Sequence, residues 1–393
     1  MLLLLVLSVH LLLFGAAEAA GKRPGSRLLR TSKGTGRFGV GRAGGPGKTR
    51  PSPAVLDGKL AITEPCNGHV DLCKRRYSNI TFVGAHNSPF VLRNNLAANQ
   101  ALTVTEQLDD GVRFLQAQMQ WPTNASVPHF CHTSCDLLDA GPITDWLGEV
   151  AHWVAHHPYD VVTVLLGNGN YSTPDRYAPL IASTGLPQYA YVPPHKPMAL
   201  DDWPTLETMI LRGTRVVLLL DYMADETAYP WLLDEFTYLW ETPFDPLIDA
   251  GDPLPCTVQR PPGLPTEDAV HDRLYLLNHN LNVEVSLLGM TFLIPTVAIA
   301  DQINAVAGPH SLGDAAAQCA STWQRAPTVL NVDYYNYGSP PGSVFEVAAK
   351  LNNVTYDPDT CCGEPAESRA DRTSAPWLWT TFAVVVFGIA ARV

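Results

Sequence analysis

Charge is scarce in this chain. Of its 393 residues only 16% are Asp, Glu, Lys or Arg, against 46% that are apolar. That balance excludes wholesale disorder, because it supplies apolar surface enough for a sizeable core. Positive charge is scarcer still: nine of the 26 Lys and Arg fall within residues 21–50, a stretch without an acid, and the formal net charge is −12. An acidic body has little with which to neutralise the phosphates of a polymer, so nucleic acid is excluded as a partner. Long apolar runs are missing too. Neither terminal run reaches the roughly 20 residues of a membrane-crossing helix. At this length the chain suits one large barrel or two ordinary domains.

Both ends read as addresses. Residues 1–20 are apolar and close on Ala17-Glu18-Ala19, the form of a secretory signal peptide with a small-residue cleavage site, although a basic start is lacking. A short membrane anchor is the rival reading. Residues 377–393 are apolar again, after a polar spacer (357–376) that holds Ser368 and Ala370. Small residues, spacer and terminal tail form the pattern of a GPI-anchor signal, with Ser368 as one attachment residue; a single-pass helix is the alternative. Residues 21–54 are rich in Gly, Arg and Lys and hold too few large apolar groups to offset chain entropy. They are expected to be disordered, as a propeptide or tether, with contact to anionic lipid or cell wall as the functional alternative.

Eight cysteines agree with an oxidising compartment. Cys66 with Cys73, Cys131 with Cys135, and Cys256 with Cys319 are the expected pairs, and the adjacent Cys361 and Cys362 are left open. Zinc at Cys131 and Cys135 is the other reading, but no second ligand pair lies nearby. Sequons at Asn79, Asn124, Asn170 and Asn353 fit a secreted surface. The expected location is the secretory pathway and then the cell surface or exterior.

Residues 55–356 alternate short Leu-rich or β-branched runs with helical segments. Strands are expected at 80–85, 112–118, 127–132, 161–167, 215–221, 257–259, 274–279 and 329–334, continuous enough to be buried on both faces. Helices are expected at 104–109, 143–156, 202–211 and 230–239, the second spacing Trp146, Val150, Trp153 and Val154 at helical intervals before Pro158 stops it. About eight such alternations predict an α/β fold, a distorted (β/α)₈ barrel of the TIM type, with an open doubly wound sheet as the competing architecture. In a barrel the chemistry gathers where the strands end. Those ends are polar here: His86 and Asn87, Gln116 and Gln118, His132, Asn168, Asp221, His279, and Asp333 with Tyr335. One terminal histidine is ordinarily structural, but several polar ends on one rim point to a site.

The run Ile80-Thr81-Phe82-Val83-Gly84-Ala85-His86-Asn87-Ser88-Pro89 resembles the opening motif of the phosphatidylinositol phospholipase C X domain. Gly111-Val112-Arg113, His132, Trp146 and His157-Pro158-Tyr159-Asp160 continue the likeness. Tyr191-Val192-Pro193-Pro194, Arg260-Pro261-Pro262-Gly263 and Asp333-Tyr334-Tyr335-Asn336 are similar to the fungal secreted, often GPI-anchored, members. The resemblance implies phosphodiester cleavage in two steps. His86 is then the general base toward the inositol 2-hydroxyl, His132 the general acid toward the leaving alkoxide, and Asp333 the carboxylate that orients His86. Histidine suits both roles because its ordinary pKa lies near working pH. Asn87, Gln116, Gln118, Asn168, Asp221, His279 and Tyr335 are the expected headgroup contacts, and a phospholipid or glycolipid headgroup at a membrane surface is the expected partner.

One departure from the family stands out. Where its members carry charged groups at the end of strand two, this chain has Gln116 and Gln118. Amides bring no charge to a phosphoryl group, and Asn87 with two glutamines is a feeble calcium site, so no metal or other cofactor is expected. Arg113 lies on the opposite strand face, which leaves Arg260, or a metal at Asp221 or Asp333, as the substitute. Three functions therefore stay open: a phosphodiesterase, a catalytically weak barrel that binds a sugar or lipid headgroup, and a metal-dependent hydrolase of another barrel family.

Overall fold

The computed structural model describes residues 54–56, 59–62, 64–91, 95, 97–244, 254–280, 282–287, 290–295, 297–358 and 362. The signal peptide, nearly all of the basic segment, most of the spacer, Cys361 and the C-terminal apolar tail lie outside them. Eight parallel staves define the fold: β1 (Phe82–Ala85), β2 (Phe114–Gln120), β3 (Val162–Gly167), β4 (Val216–Leu220), β5 (Leu233–Asp234), β6 (Leu239–Glu241), β7 (Leu274–Asn278) and β8 (Val329–Val332). They pair in the order β6-β7-β8-β1-β2-β3-β4-β5. Among the described residues β5 and β6 do not pair, so this α/β barrel is distorted and open at that seam.

Alternation along the staves decides what lies inside. Phe82, Phe114, Leu165, Val217, Leu219, Leu239, Leu274, Leu276 and Val329 share one apolar cluster with Tyr77 and Trp203, whose rings stack 4.8 Å apart. That cluster fills the lower interior. The alternate residues, among them Val83, Leu115, Val164, Leu218, Leu277 and Leu330, belong to an outer cluster with Leu147, Val150 and Val154 of the helix Ile143–His156 and with Leu312, Ala316, Val344 and Val347 of two later helices. Two steps further along the inward parity the apolar residues give way to Gln116, Asn331, Asn278, Glu241 and Asp221, all buried. Period-two geometry thus places every polar end of the inward set in one upper layer.

Several expected elements are corrected. The run 127–132 is no stave: His129–His132 forms a hairpin with Leu138–Pro142 and pairs antiparallel to the overhanging end of β2. The connection from Gln120 to His129 is shorter than the dozen or more residues that a parallel crossover needs. Residues 257–259 form no strand either. Arg260 makes an isolated bridge to Glu241, and the flanking prolines cannot donate to a ladder. The missing staves, at 233–234 and 239–241, fall largely on the helix expected over 230–239. Only Glu235–Tyr238 is helical, one turn capped by Asp234, between β5 and β6. A hairpin of Asn282–Leu287 and Met290–Pro295 also stands outside the expectation.

Disulfides join Cys66 to Cys73, Cys131 to Cys135 and Cys256 to Cys319. Zinc at Cys131 and Cys135 is therefore overturned, because both thiols are spent. Asn79, Asn124, Asn170 and Asn353 are all exposed.

Candidate active site

His86 is the next inward position of β1 after Gly84, and Asp333 is the next of β8 after Asn331. Strand pairing brings the two together: His86 N donates to Val332 O, and His86 Nδ1 lies 2.8 Å from Asp333 Oδ1. A carboxylate accepts, so Nδ1 carries the proton and Nε2 keeps its lone pair. The pair is largely but not wholly buried, with side-chain exposures of 14% for His86 and 9% for Asp333.

His132 reaches the same neighbourhood from the hairpin. Its ring meets the Phe90 ring edge-on at 5.3 Å, and Nδ1 lies 3.4 Å from Thr133 Oγ1. Burial first, and then repulsion from a protonated His86, lower its pKa to about 4 against the opposing pull of Asp333. The two imidazoles and the carboxylate are thus within electrostatic reach of one another. Gln118 projects from β2 against Gly167 of β3, so closely that a Cβ there would sit 2.1 Å from its Oε1. A glycine at 167 leaves the room that this carboxamide uses.

Below the imidazoles runs a chain of buried polar groups. Asn331 Nδ2 donates to Gln116 Oε1 at 2.9 Å and to Asn278 Oδ1 at 3.1 Å. Asn278 Nδ2 lies 3.4 Å from Glu241 Oε2, which also accepts from Arg260 Nη1 at 3.1 Å. Arg260 Nη2 donates to Asp221 Oδ2 and to Tyr222 Oη, both at 3.2 Å. The guanidinium is further enclosed by the rings of Phe236 and Phe244. Burial works against its charge, but Glu241 and Glu235 outweigh burial and hold the proton more tightly than usual. Arg260 is therefore a structural cation bound by two carboxylates. Asp221 is raised to about 6, first by burial, against the bonds from Asn168 N and Arg260.

Glu235 completes this cluster. It is wholly buried, and burial and the Glu241 carboxylate push its pKa well above the carboxylate range. Burial beside Glu241 therefore favours its protonated form. Because its folded-state pKa is raised, it binds a proton that the unfolded chain releases, so its contribution favours folding at low pH and is lost as pH rises above about 4.5. Glu235→Gln mimics the neutral acid. We expect the variant to melt a few degrees higher than the parent at pH 8, with the gap closing toward pH 5; thermal unfolding across that range checks it.

The remaining expected contacts are placed elsewhere. Asn168 spends its side chain on Ser172 and Tyr222 backbone groups. His279 is fully buried, its Nε2 facing the carbonyls of Ile303 and His310. Tyr335 lies in the helical layer and donates to Asp110 Oδ2 at 2.6 Å. None of these three is presented to the mouth. Asn87 is buried beside His86 in the left-handed region, at φ 48°. Sequence reasoning overlooked Asn99 and Gln100, whose signal is slight: two adjacent polar residues in a connection, with no motif.

The site offers a metal little. Apart from the Asp333 carboxylate, whose Oδ1 is engaged by His86 and Asn99, its oxygen donors are the amides of Asn87, Gln116 and Gln118, and among the described residues no group of three His, Cys, Asp or Glu is arranged to hold an ion. A resident calcium does not fit this set.

A barrel with an imidazole–carboxylate pair at the carboxyl ends of its staves defines the class, and the comparison with known proteins gives the family. The PI-PLC X 1 model matches residues 72–352. The chain belongs to the PI-PLC X family. It is 50% identical over 301 residues to an uncharacterized secreted protein of Arthroderma benhamiae, covering 77% of this chain and 66% of that one, just under two thirds of its length. It is 41% identical over 274 residues to PI-PLC X domain-containing protein 1 of the same organism, covering 70% and 86%. Among solved structures, the phosphatidylinositol-specific phospholipases C of Staphylococcus aureus and Listeria monocytogenes are similar at 15% identity, with TM-scores of 0.44 and 0.40 over 70% and 72% of this chain and 94% and 96% of theirs.

Proposed function

We propose that this chain is a secreted phosphoric diester hydrolase that cleaves an inositol phospholipid or glycolipid through a cyclic phosphate. The observation that carries the reading is the Asp333–His86 pair with His132 in electrostatic reach of it. His86 Nε2 removes the proton of the inositol 2-hydroxyl, whose oxygen attacks phosphorus. The bond from phosphorus to the alkoxide breaks, and protonated His132 delivers its proton to that oxygen. Water then opens the cyclic ester with the two roles exchanged. No step passes through a metal, because the amide donors do not fit one. The signal-like start and the secreted relative support export; glycosylation at the exposed sequons and attachment through a GPI anchor belong to the same proposal.

A lipid substrate is supported by where apolar side chains remain exposed. Leu137, Tyr171, Met223, Phe244 and Val297 are exposed by 36% to 59%, and each lies on a connection that leaves the carboxyl end of a stave. Burying one large apolar side chain contributes roughly 1.5–3 kcal/mol. Replacing Tyr171, Met223 and Phe244 together by Ser is therefore expected to lower partitioning onto phosphatidylinositol vesicles at least about 100-fold, with cleavage of a short-chain monomeric substrate much less affected. The deciding experiment incubates the purified chain with such vesicles and measures inositol cyclic phosphate and diacylglycerol. Absence of product from folded protein, with and without divalent metal, rejects the hydrolase. Saturable headgroup binding without product would favour the second reading, a non-catalytic binder, whose motive is that Arg260 is committed to Glu241 and Asp221 while the strand-two ends are glutamines.

A further inference from the structure

The connection between β1 and β2 carries two polar side chains that are wholly or almost wholly buried, Asn99 and Gln100, exposed by 0% and 1%. Burying a primary amide is costly unless its hydrogens are used. Gln100 Nε2 donates to His86 O at 2.8 Å and to Val332 O at 2.9 Å, bridging the ends of β1 and β8. Asn99 Nδ2 donates to Asp333 Oδ1 at 2.9 Å, the same oxygen that His86 Nδ1 approaches at 2.8 Å. Its amide orientation is fixed by chemistry, since the flipped form would set two oxygens against each other. The backbone of Asn99 is anchored as well: its N–H donates to Phe90 O, and its carbonyl accepts from Tyr334 N. Phe90 in turn packs its ring against His132.

We infer that Asn99 is a positioning residue for the His86–Asp333 pair, with Gln100 holding the two strand ends in register. Asn99 Nδ2 also lies 3.4 Å from His86 Nδ1. A bond there would need an unprotonated Nδ1 and would put the proton on Nε2, the nitrogen required as base. The shorter contact to Asp333 wins over the 3.4 Å approach, which is beyond the usual range. Asn99 therefore fixes Oδ1 as a shared acceptor and makes Nδ1–H the stable tautomer. This inference rests on the hydrolase reading for its consequence in catalysis, but not for its geometry.

The test begins with the whole unmodified protein, without substrate. In proton NMR, a low-field His86 Nδ1–H resonance should show a nuclear Overhauser contact to a slowly exchanging Asn99 side-chain amide proton. A missing contact overturns the inference whether or not the protein is an enzyme. Asn99→Ala and the isosteric Asn99→Asp, which loses the donor, should broaden or shift that resonance. With an active protein they should lower kcat about 10- to 100-fold with KM unchanged, the range of a hydrogen bond to a charged group. Retention of both the resonance and kcat in either folded variant would equally overturn it.

Discussion

His86→Ala is expected to lower kcat for phosphatidylinositol cleavage by about 10²–10⁴-fold, the ordinary contribution of a positioned acid–base group. Asp333→Asn should fall within the same range although it changes no shape. The reason is the proton on Nδ1. An asparagine that turns its Nδ2–H toward His86 offers a donor where a carboxylate accepted, and the ring answers by moving its own proton to Nε2, where the base is needed. The carboxylate also balances the imidazolium that forms as His86 takes the substrate proton, and a neutral amide does not. Because both residues serve one step, the double variant should be little worse than His86→Ala alone. Steady-state rates for the three proteins decide it. Additive losses would mean that Asp333 acts elsewhere.

That pair was legible in the sequence because the strand ends at 86 and 333 follow apolar runs whose period fixes their direction. The same period turns two other expected residues away from the barrel interior, and a break in it turns a third. Asn168 follows the inward Gly167, and His279 follows the inward Asn278, so both must point out of the barrel; being at a strand end says nothing about side. Tyr335 has inward parity, but Tyr334 stands in the left-handed region at φ 47°, ends the pleat and turns the next side chain toward Asp110. The short staves β5 and β6 were hidden because two or three residues carry no period. His132 is expected at the end of a stave but comes from a hairpin. Asn99 and Gln100 could not be found at all, since the contacts that tie them to the last stave, to Asp333 and to Val332 O, span more than 200 positions and no local pattern encodes them.

His132→Ala is expected to lower the rate by a further measure of about 10²–10⁴-fold, but only when the leaving group is an alkoxide. An alkoxide must be protonated as it departs, whereas 4-nitrophenolate leaves without help, so an inositol phosphate ester of 4-nitrophenol should recover most of the loss. The acidity of His132 sharpens this. Lowered to about 4, chiefly by burial, it is neutral in the free protein at pH 7 and cannot act as an acid there. A phosphate monoanion seated between the rings supplies the countercharge that burial removed, so binding must draw a proton in. The sign follows directly: between the pKa of the bound form and about 4, affinity for inositol phosphate should rise as pH falls, by up to about tenfold per pH unit. Calorimetry at pH 6 in buffers of different ionisation enthalpy should report uptake approaching one proton in the parent and much less in His132→Ala. Binding without proton uptake, or an aryl ester that suffers as much as the lipid, would leave the general-acid role to another group.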